Sequence, residues 1–185
     1  MHERSRKPHS RAGWLGLAAL AVTALAGPAA AVTVGPSPTD TTLNIGDVFD
    51  IRIATDAFPD LKGFSVIYQY NPAVLELIGA SPGDVLTGSG NPFTALLVPD
   101  YAAPADSAWY DAAMLIGSTQ GPGILNFFRF RARDIGESLL ICRLVDFRDS
   151  QNHQTLPACT PGRVVVTGPT RATPATWGKI KAFYR

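Results

Sequence analysis

Between Val32 and Gly168 apolar residues recur at every second position, and the runs are cut at short intervals by Gly, Pro, Asn and Asp. A period of two buries one face of an extended chain and wets the other, whereas a helix needs a period of 3.6. In residues 48 to 55, Phe49, Ile51 and Ile53 alternate with Asp50 and Arg52. In residues 64 to 70, Phe64, Val66, Tyr68 and Tyr70 take one face while Ser65, Ile67 and Gln69 take the other. Further strands are expected at 74 to 78, 93 to 98, 108 to 116, 124 to 133, 138 to 146 and 163 to 167, with a short first strand at 32 to 34, nine in all. Phe58-Pro59-Asp60, Ser81-Pro82-Gly83-Asp84, Gly88 to Pro92 and Gly121-Pro122-Gly123 supply the turns between them. The pattern predicts an all-β protein, two facing sheets with alternate residues turned inward, and needs no helix of ordinary length.

Residues 1 to 31 stand apart from that pattern. Arg4, Arg6, Lys7 and Arg11 precede an apolar run of 13 residues, 14 to 26, well short of the roughly 20 that a spanning helix requires. Gly27-Pro28 and then Ala29-Ala30-Ala31 follow, the small residues that a signal peptidase accepts. The stretch reads as an export signal cleaved between Ala31 and Val32, with an uncleaved membrane anchor as the alternative. Export implies a secreted, extracellular or cell-surface protein. A formal net charge of +1 excludes a strongly basic nucleic-acid binder.

Export puts Cys142 and Cys159 in an oxidising compartment. They form no Cys-x-x-Cys, and His153 is the one histidine beyond residue 31, too few ligands for a zinc site. A disulfide between them is preferred over two free thiols. No catalytic residue is assigned: nothing resembles Gly-x-Ser-x-Gly, and the acidic residues Asp56, Asp60, Asp106 and Asp111 read as soluble turns. Asp146, Asp149 and Asn152 lack the spacing of a calcium loop and read as turn-makers, so no metal or other cofactor is expected. Arg129, Arg131 and Arg133 alternate on one strand and read as a solvated edge or outer face.

The run Leu61-Lys62-Gly63-Phe64-Ser65-Val66-Ile67-Tyr68-Gln69-Tyr70-Asn71-Pro72-Ala73-Val74-Leu75-Glu76-Leu77-Ile78-Gly79, with Pro82-Gly83-Asp84-Val85-Leu86 after it, resembles the signature stretch of cohesin domains. There a Gly-aromatic strand ends in Tyr-Asp-Pro, followed by Val-Leu-Glu and Pro-Gly. Gly123-Ile124-Leu125 with Phe128 and Phe130, a turn at Leu144-Val145-Asp146, and the closing Arg163-Val164-Val165-Val166 are similar in order and spacing. The resemblance implies a nine-stranded jelly-roll β-sandwich of the carbohydrate-binding-module-like superfamily. It also implies a non-catalytic module that grips a calcium-binding dockerin domain on one flat sheet face, with Ser65, Ile67 and Gln69 on that face. Well-known dockerin binders place a carboxylate and an amide where this chain has Ser65 and Gly63.

The expected organisation is therefore a signal peptide (1–31), a cohesin-like domain (32–168) and a linker with a basic-aromatic tail (169–185). Residues 169–185 hold four cations and no anion, and Trp177, Gly178, Lys181, Tyr184 and Arg185 carry the tail's pattern. A sorting or anchoring role is one reading of it, and a frayed end another. The leading function is attachment of a secreted dockerin-bearing partner, in an assembly acting on polysaccharide. The alternatives are direct glycan binding through exposed Tyr101, Trp109 and Tyr110, and a structural surface or appendage module. A monomer is expected, with no membrane span after signal cleavage.

Overall fold

The computed structural model describes residues 31–97 and 105–168. The leader, Tyr101, and the tail residues Trp177, Gly178, Lys181, Tyr184 and Arg185 lie outside the described residues. The elements are β1 (Thr33–Ser37), β2 (Asp40–Asn44), β3 (Val48–Thr55), β4 (Gly63–Gln69), β5 (Leu75–Pro82), a single helical turn α1 (Asp84–Thr87), β6 (Phe93–Leu97), β7 (Ser107–Met114), β8 (Gly123–Ala132), β9 (Gly136–Arg148), β10 (Gln154–Thr155), β11 (Ala158–Cys159) and β12 (Gly162–Thr167). They form two sheets, ordered β11-β1-β3-β8-β5 and β2-β12-β9-β4-β7-β6, with β10 paired to β9.

All nine expected strands are present, and β2, β10 and β11 are additional. The last two are only two residues long, too short for a periodicity to register. In β2, Asp40-Thr41-Thr42-Leu43-Asn44 has a single large apolar residue. Its backbone is satisfied by parallel pairing with β12 at the sheet edge, a place where polar residues are the usual choice.

The core lies between the sheets. Phe64, Val66 and Tyr68 of β4 meet Phe128 and Phe130 of β8, all at most 4% exposed. Tyr70 packs edge-on against Phe130, and Tyr110 edge-on against Phe128, at centroid separations of 5.1 and 6.4 Å, the geometry that aromatic quadrupoles favour. Asn71-Pro72 turns the chain out of β4: Asn71 Oδ1 accepts the Ala73 N–H and its carbonyl accepts those of Val74 and Leu75. Val74 and Leu75 enter the core, and Leu77 packs against it.

Pro82-Gly83 has a steric explanation. A Cβ on Gly83 would run into the backbone carbonyl of Ile124, so only glycine lets the chain pass β8 before α1 begins. The arginines of β8 lie on an interior strand, so their face is an outer one and not an edge. Arg129 forms a bidentate pair with Asp50 (2.8 and 2.9 Å), and Arg131 reaches Glu76 at 3.2 Å.

The sequence reading needs a correction in β9. Leu144-Val145-Asp146 is strand, not turn. Ile67 pairs with Leu144 and Tyr68 with Cys142, so Arg143 is an extra residue that bulges from the ladder. The bulge reverses the alternation: Ser138 and Leu140 face inward before it, Val145 and Phe147 after it.

Cys142 and Cys159 form a disulfide with Cα atoms 6.1 Å apart. It joins β9 of one sheet to β11 of the other. The Tyr68 hydroxyl lies 3.2 Å from Cys159 Sγ and donates to the Thr160 carbonyl at 3.1 Å. Burial without a charged partner pushes the Tyr68 hydroxyl well above the ordinary phenol range.

Candidate partner-binding face

The outer face of β9-β4-β7-β6 is where the sequence-derived contact residues fall. β4 is interior, with β9 on one side and β7 on the other. Alternation therefore places Ser65, Ile67 and Gln69 together in the middle of the open face, each half-buried. Ile67 lies opposite Leu144 on β9 and Trp109 on β7. Leu139, Ile141 and Leu144 are 50%, 40% and 37% exposed, and Leu96 on the edge strand β6 is 57% exposed. Leu139, Ile141 and Leu144 follow one another along β9, Ile67 stands beside Leu144, and Leu96 lies opposite Asp111 at the β6 edge, which gives this face an apolar stripe along β9. Leu139, Ile141, Leu144 and Leu96 were not singled out from the sequence. The β9 bulge is the reason for Leu144, because unbroken alternation points it inward with Cys142.

Polar groups border the stripe in fixed positions. The Trp109 indole Nε1 donates to Ser65 Oγ at 3.1 Å and to Asp111 Oδ1 at 2.8 Å. Trp109 is thus a half-buried member of this face, pinned by its polar tip. Gln69 bridges two charges: its amide nitrogen donates to Asp106 and its oxygen accepts from Arg143. The Gln69 bond holds the Asp106 carboxyl below the usual carboxylate range. Asp146 Oδ2 accepts from Arg148 (3.1 Å) and Gln154 (2.9 Å), while its buried Oδ1 has no hydrogen-bond partner.

At the Arg148 end of β9 the face dips into a groove of about 480 Å³, walled by Phe64, Ser65, Asp111, Met114, Asp146 and Asn152 among others. Its rim is the loop after β9, a structured turn. Asp149 Oδ1 accepts the N–H groups of Gln151 and His153, Oδ2 meets the His153 ring at 3.0 Å, and Asn152 takes the left-handed conformation at φ 65°. The His153 N–H, first among these contacts, holds the Asp149 carboxyl below its ordinary range. Both Asp149 oxygens are thereby engaged within the loop. Among the described residues, no group of three or more His, Cys, Asp and Glu side chains could hold a metal ion.

Of the aromatics expected to touch glycan, Tyr110 is turned away from the surface. Tyr110 is 2% exposed and faces the core, stacked at 6.1 Å on Phe64, so it is a core residue and not a surface contact. It neighbours Trp109 on a strand, and successive side chains of a strand point to opposite faces. Its hydroxyl is buried with no hydrogen-bond partner, and burial pushes its pKa up to about 12. Among the described residues no helix is long and apolar enough to cross a membrane.

No family model matches the sequence, and no curated protein is similar to it at a significant level. Solved structures do match. A non-cellulosomal cohesin from the archaeon Archaeoglobus fulgidus superposes with a TM-score of 0.59 at 14% identity, covering 84% of this chain and 99% of that one. The seventh type I cohesin of a scaffoldin from Pseudobacteroides cellulosolvens gives 0.59 at 18% identity, over 78% and 97% of the two chains. A cohesin from Clostridium thermocellum, solved in a type I complex with its dockerin, gives 0.60 at 12% identity, over 74% and 99%. These cohesins are covered almost end to end at low identity, and the chain has a cohesin-like β-sandwich fold.

Proposed function

We propose that this protein is an exported, non-catalytic binding module that attaches a dockerin-type partner through the outer face of β9-β4-β7-β6. One observation carries the reading: Ile67, Leu139, Ile141 and Leu144 lie open on the outer face of β4 and β9, with Leu96 exposed at the β6 edge and fixed polar groups between them. Exposed aliphatic residues of that extent, bordered by committed hydrogen bonds, suit the apolar side of a partner helix. Ser65, Ile67 and Gln69 sit in the middle of the contact. Ile67 and Leu144 are its anchors, and Gln69 holds the Asp106 and Arg143 rim in place.

In this reading residues 1–31 direct export and are removed between Ala31 and Val32, after which the disulfide forms in an oxidising compartment. The domain, 32–168, works as a monomer at or beyond the cell surface, in an assembly that acts on polysaccharide.

The test is capture on the immobilised chain 32–185 from the source organism's secreted proteins, in calcium and again after chelation. A dockerin-bearing protein retained only with calcium, and lost from the Leu144→Glu variant, is the expected result. Retention that ignores both calcium and Leu144→Glu, or retention of glycan alone, would overturn the reading.

A further inference from the structure

The groove at the Arg148 end of this face has a chemistry of its own. Strand register sets two rows of residues across four strands: Arg148, Gly63, Ala113 and Thr94 in one, and Asp146, Ser65, Asp111 and Leu96 in the next. The middle of the first row is small, so Gly63 and Ala113 make an apolar floor. A second dip of about 290 Å³ continues toward the β6 edge, walled by Thr94 and Leu96 and sharing Asp111 and Ala113 with the first. The path from β9 to β6 is about 14 Å long at ~4.8 Å per strand spacing.

Charges on the walls nearly cancel, Lys62 and Arg148 against Asp111, Asp146 and Asp149. Asp146 is already paired with Arg148, and both Asp149 oxygens are held in their loop. An ion of either sign therefore gains little here. Hydrogen-bonding capacity, by contrast, is left over. The Trp109 indole N–H is shared between Asp111 Oδ1 and Ser65 Oγ and fixes both side chains. Asp111 Oδ2, the Ser65 hydroxyl proton and the Asn152 side-chain amide have no partner among the described residues. A purely apolar ligand would strip water from these groups and put nothing in its place.

We propose that this groove binds a neutral sugar unit of a glycan chain. A hydroxyl both donates and accepts, so neighbouring hydroxyls of one ring donate to Asp111 Oδ2 and accept from Ser65 and Asn152, while the C–H face of the ring lies on the Gly63 and Ala113 floor. The smaller dip beyond Asp111 takes the next unit of the chain. Trp109 acts here through its N–H, as a positioning group for Asp111 and Ser65, and not through an exposed ring. The site is thus distinct from the aromatic contact expected of Trp109 and Tyr110.

The inference does not rest on a dockerin-type partner, and its test needs none. The isotope-labelled chain 32–185 is titrated, without calcium, with neutral disaccharides of glucose, mannose, galactose and xylose. At least one of them is expected to shift the amides of Gly63, Ser65, Asp111 and Ala113 saturably, and equally in about 0.5 M salt, since a neutral ligand has no charge to screen. Asp111→Asn should weaken that binding by about tenfold, the loss of a hydrogen bond to a carboxylate. Ala113→Leu fills the floor from an outward position and should abolish it, with the core amides of β8 unmoved as the check on folding. No saturable shift with any of the four, shifts centred on β3 and β8, affinity that falls with salt, or tighter binding of triglycine than of any sugar would refute the site. Partner capture reads a protein retained with calcium, and this titration contains neither, so each reading can fail alone.

Discussion

Replacing both Cys142 and Cys159 by alanine tests how the two sheets are held together. The disulfide closes a loop with a sequence separation of 17, and chain entropy assigns such a cross-link about 3 kcal/mol. Noncovalent support for this junction is thin. β11 contributes two pairings to β1, Thr33 with Ala158 and Val34 with Cys159. Tyr68 retains its bond to the Thr160 carbonyl when the sulfur is lost, so its hydroxyl is not orphaned. The expected cost is therefore close to the entropic value, with a smaller addition from packing of the two half-buried side chains. Urea unfolding followed by fluorescence would measure it. Reduced wild type isolates the cross-link because its sulfur atoms remain, and it should lose about 3 kcal/mol, or roughly 10–15 °C in Tm for a domain of this size. A loss below about 1 kcal/mol on reduction would mean that β11 is held by its contacts alone, and would refute the reasoning.

Further predictions rest on other parts of the fold. Tyr110→Phe removes a buried hydroxyl that has no partner and should stabilise the protein by about 1 kcal/mol; denaturant titration showing a loss would reveal a bond to that oxygen. Because Tyr110 holds its proton up to about pH 12 when folded, against about 10 when unfolded, its contribution is complete below pH 10 and is lost as pH rises toward 12. Tyr110→Phe should accordingly flatten the alkaline limb of stability, and an unchanged limb would count against the shift. Gly83→Ala drives a Cβ into the Ile124 carbonyl and should cost about 2–4 kcal/mol, read as a lower urea midpoint. The Asp149 carboxyl is lowered by its loop hydrogen bonds, so its contribution is present above its ordinary pKa and disappears as pH falls through the folded value. Acid titration of Asp149→Asn should show a shallower loss below about pH 4 than wild type.

Much of this molecule was legible before any coordinates. Alternation along residues 48 to 55 and 64 to 70 placed Ile51, Ile53, Phe64, Val66 and Tyr68 inside, where they are at most 5% exposed. Period two follows from the geometry of an extended chain, so any strand that buries one face writes it into the sequence. The pairing of two cysteines was legible by counting. What local pattern did not carry was everything that depends on a neighbouring strand. β2 exists because β12 lies beside it, and its polar residues contain no trace of that partner. The extra residue at Arg143 reverses the alternation of β9, and only the register against β4 reveals it. Leu144 comes to the surface, and Val145 and Phe147 turn inward, for that one reason. Tyr110, adjacent to Trp109, could not be separated from it by composition, and the sheet put one in the core and the other on the face. Side-chain direction is set locally, but which direction is outward is decided by the sheet that packs behind, and that is why the face was completed only in three dimensions.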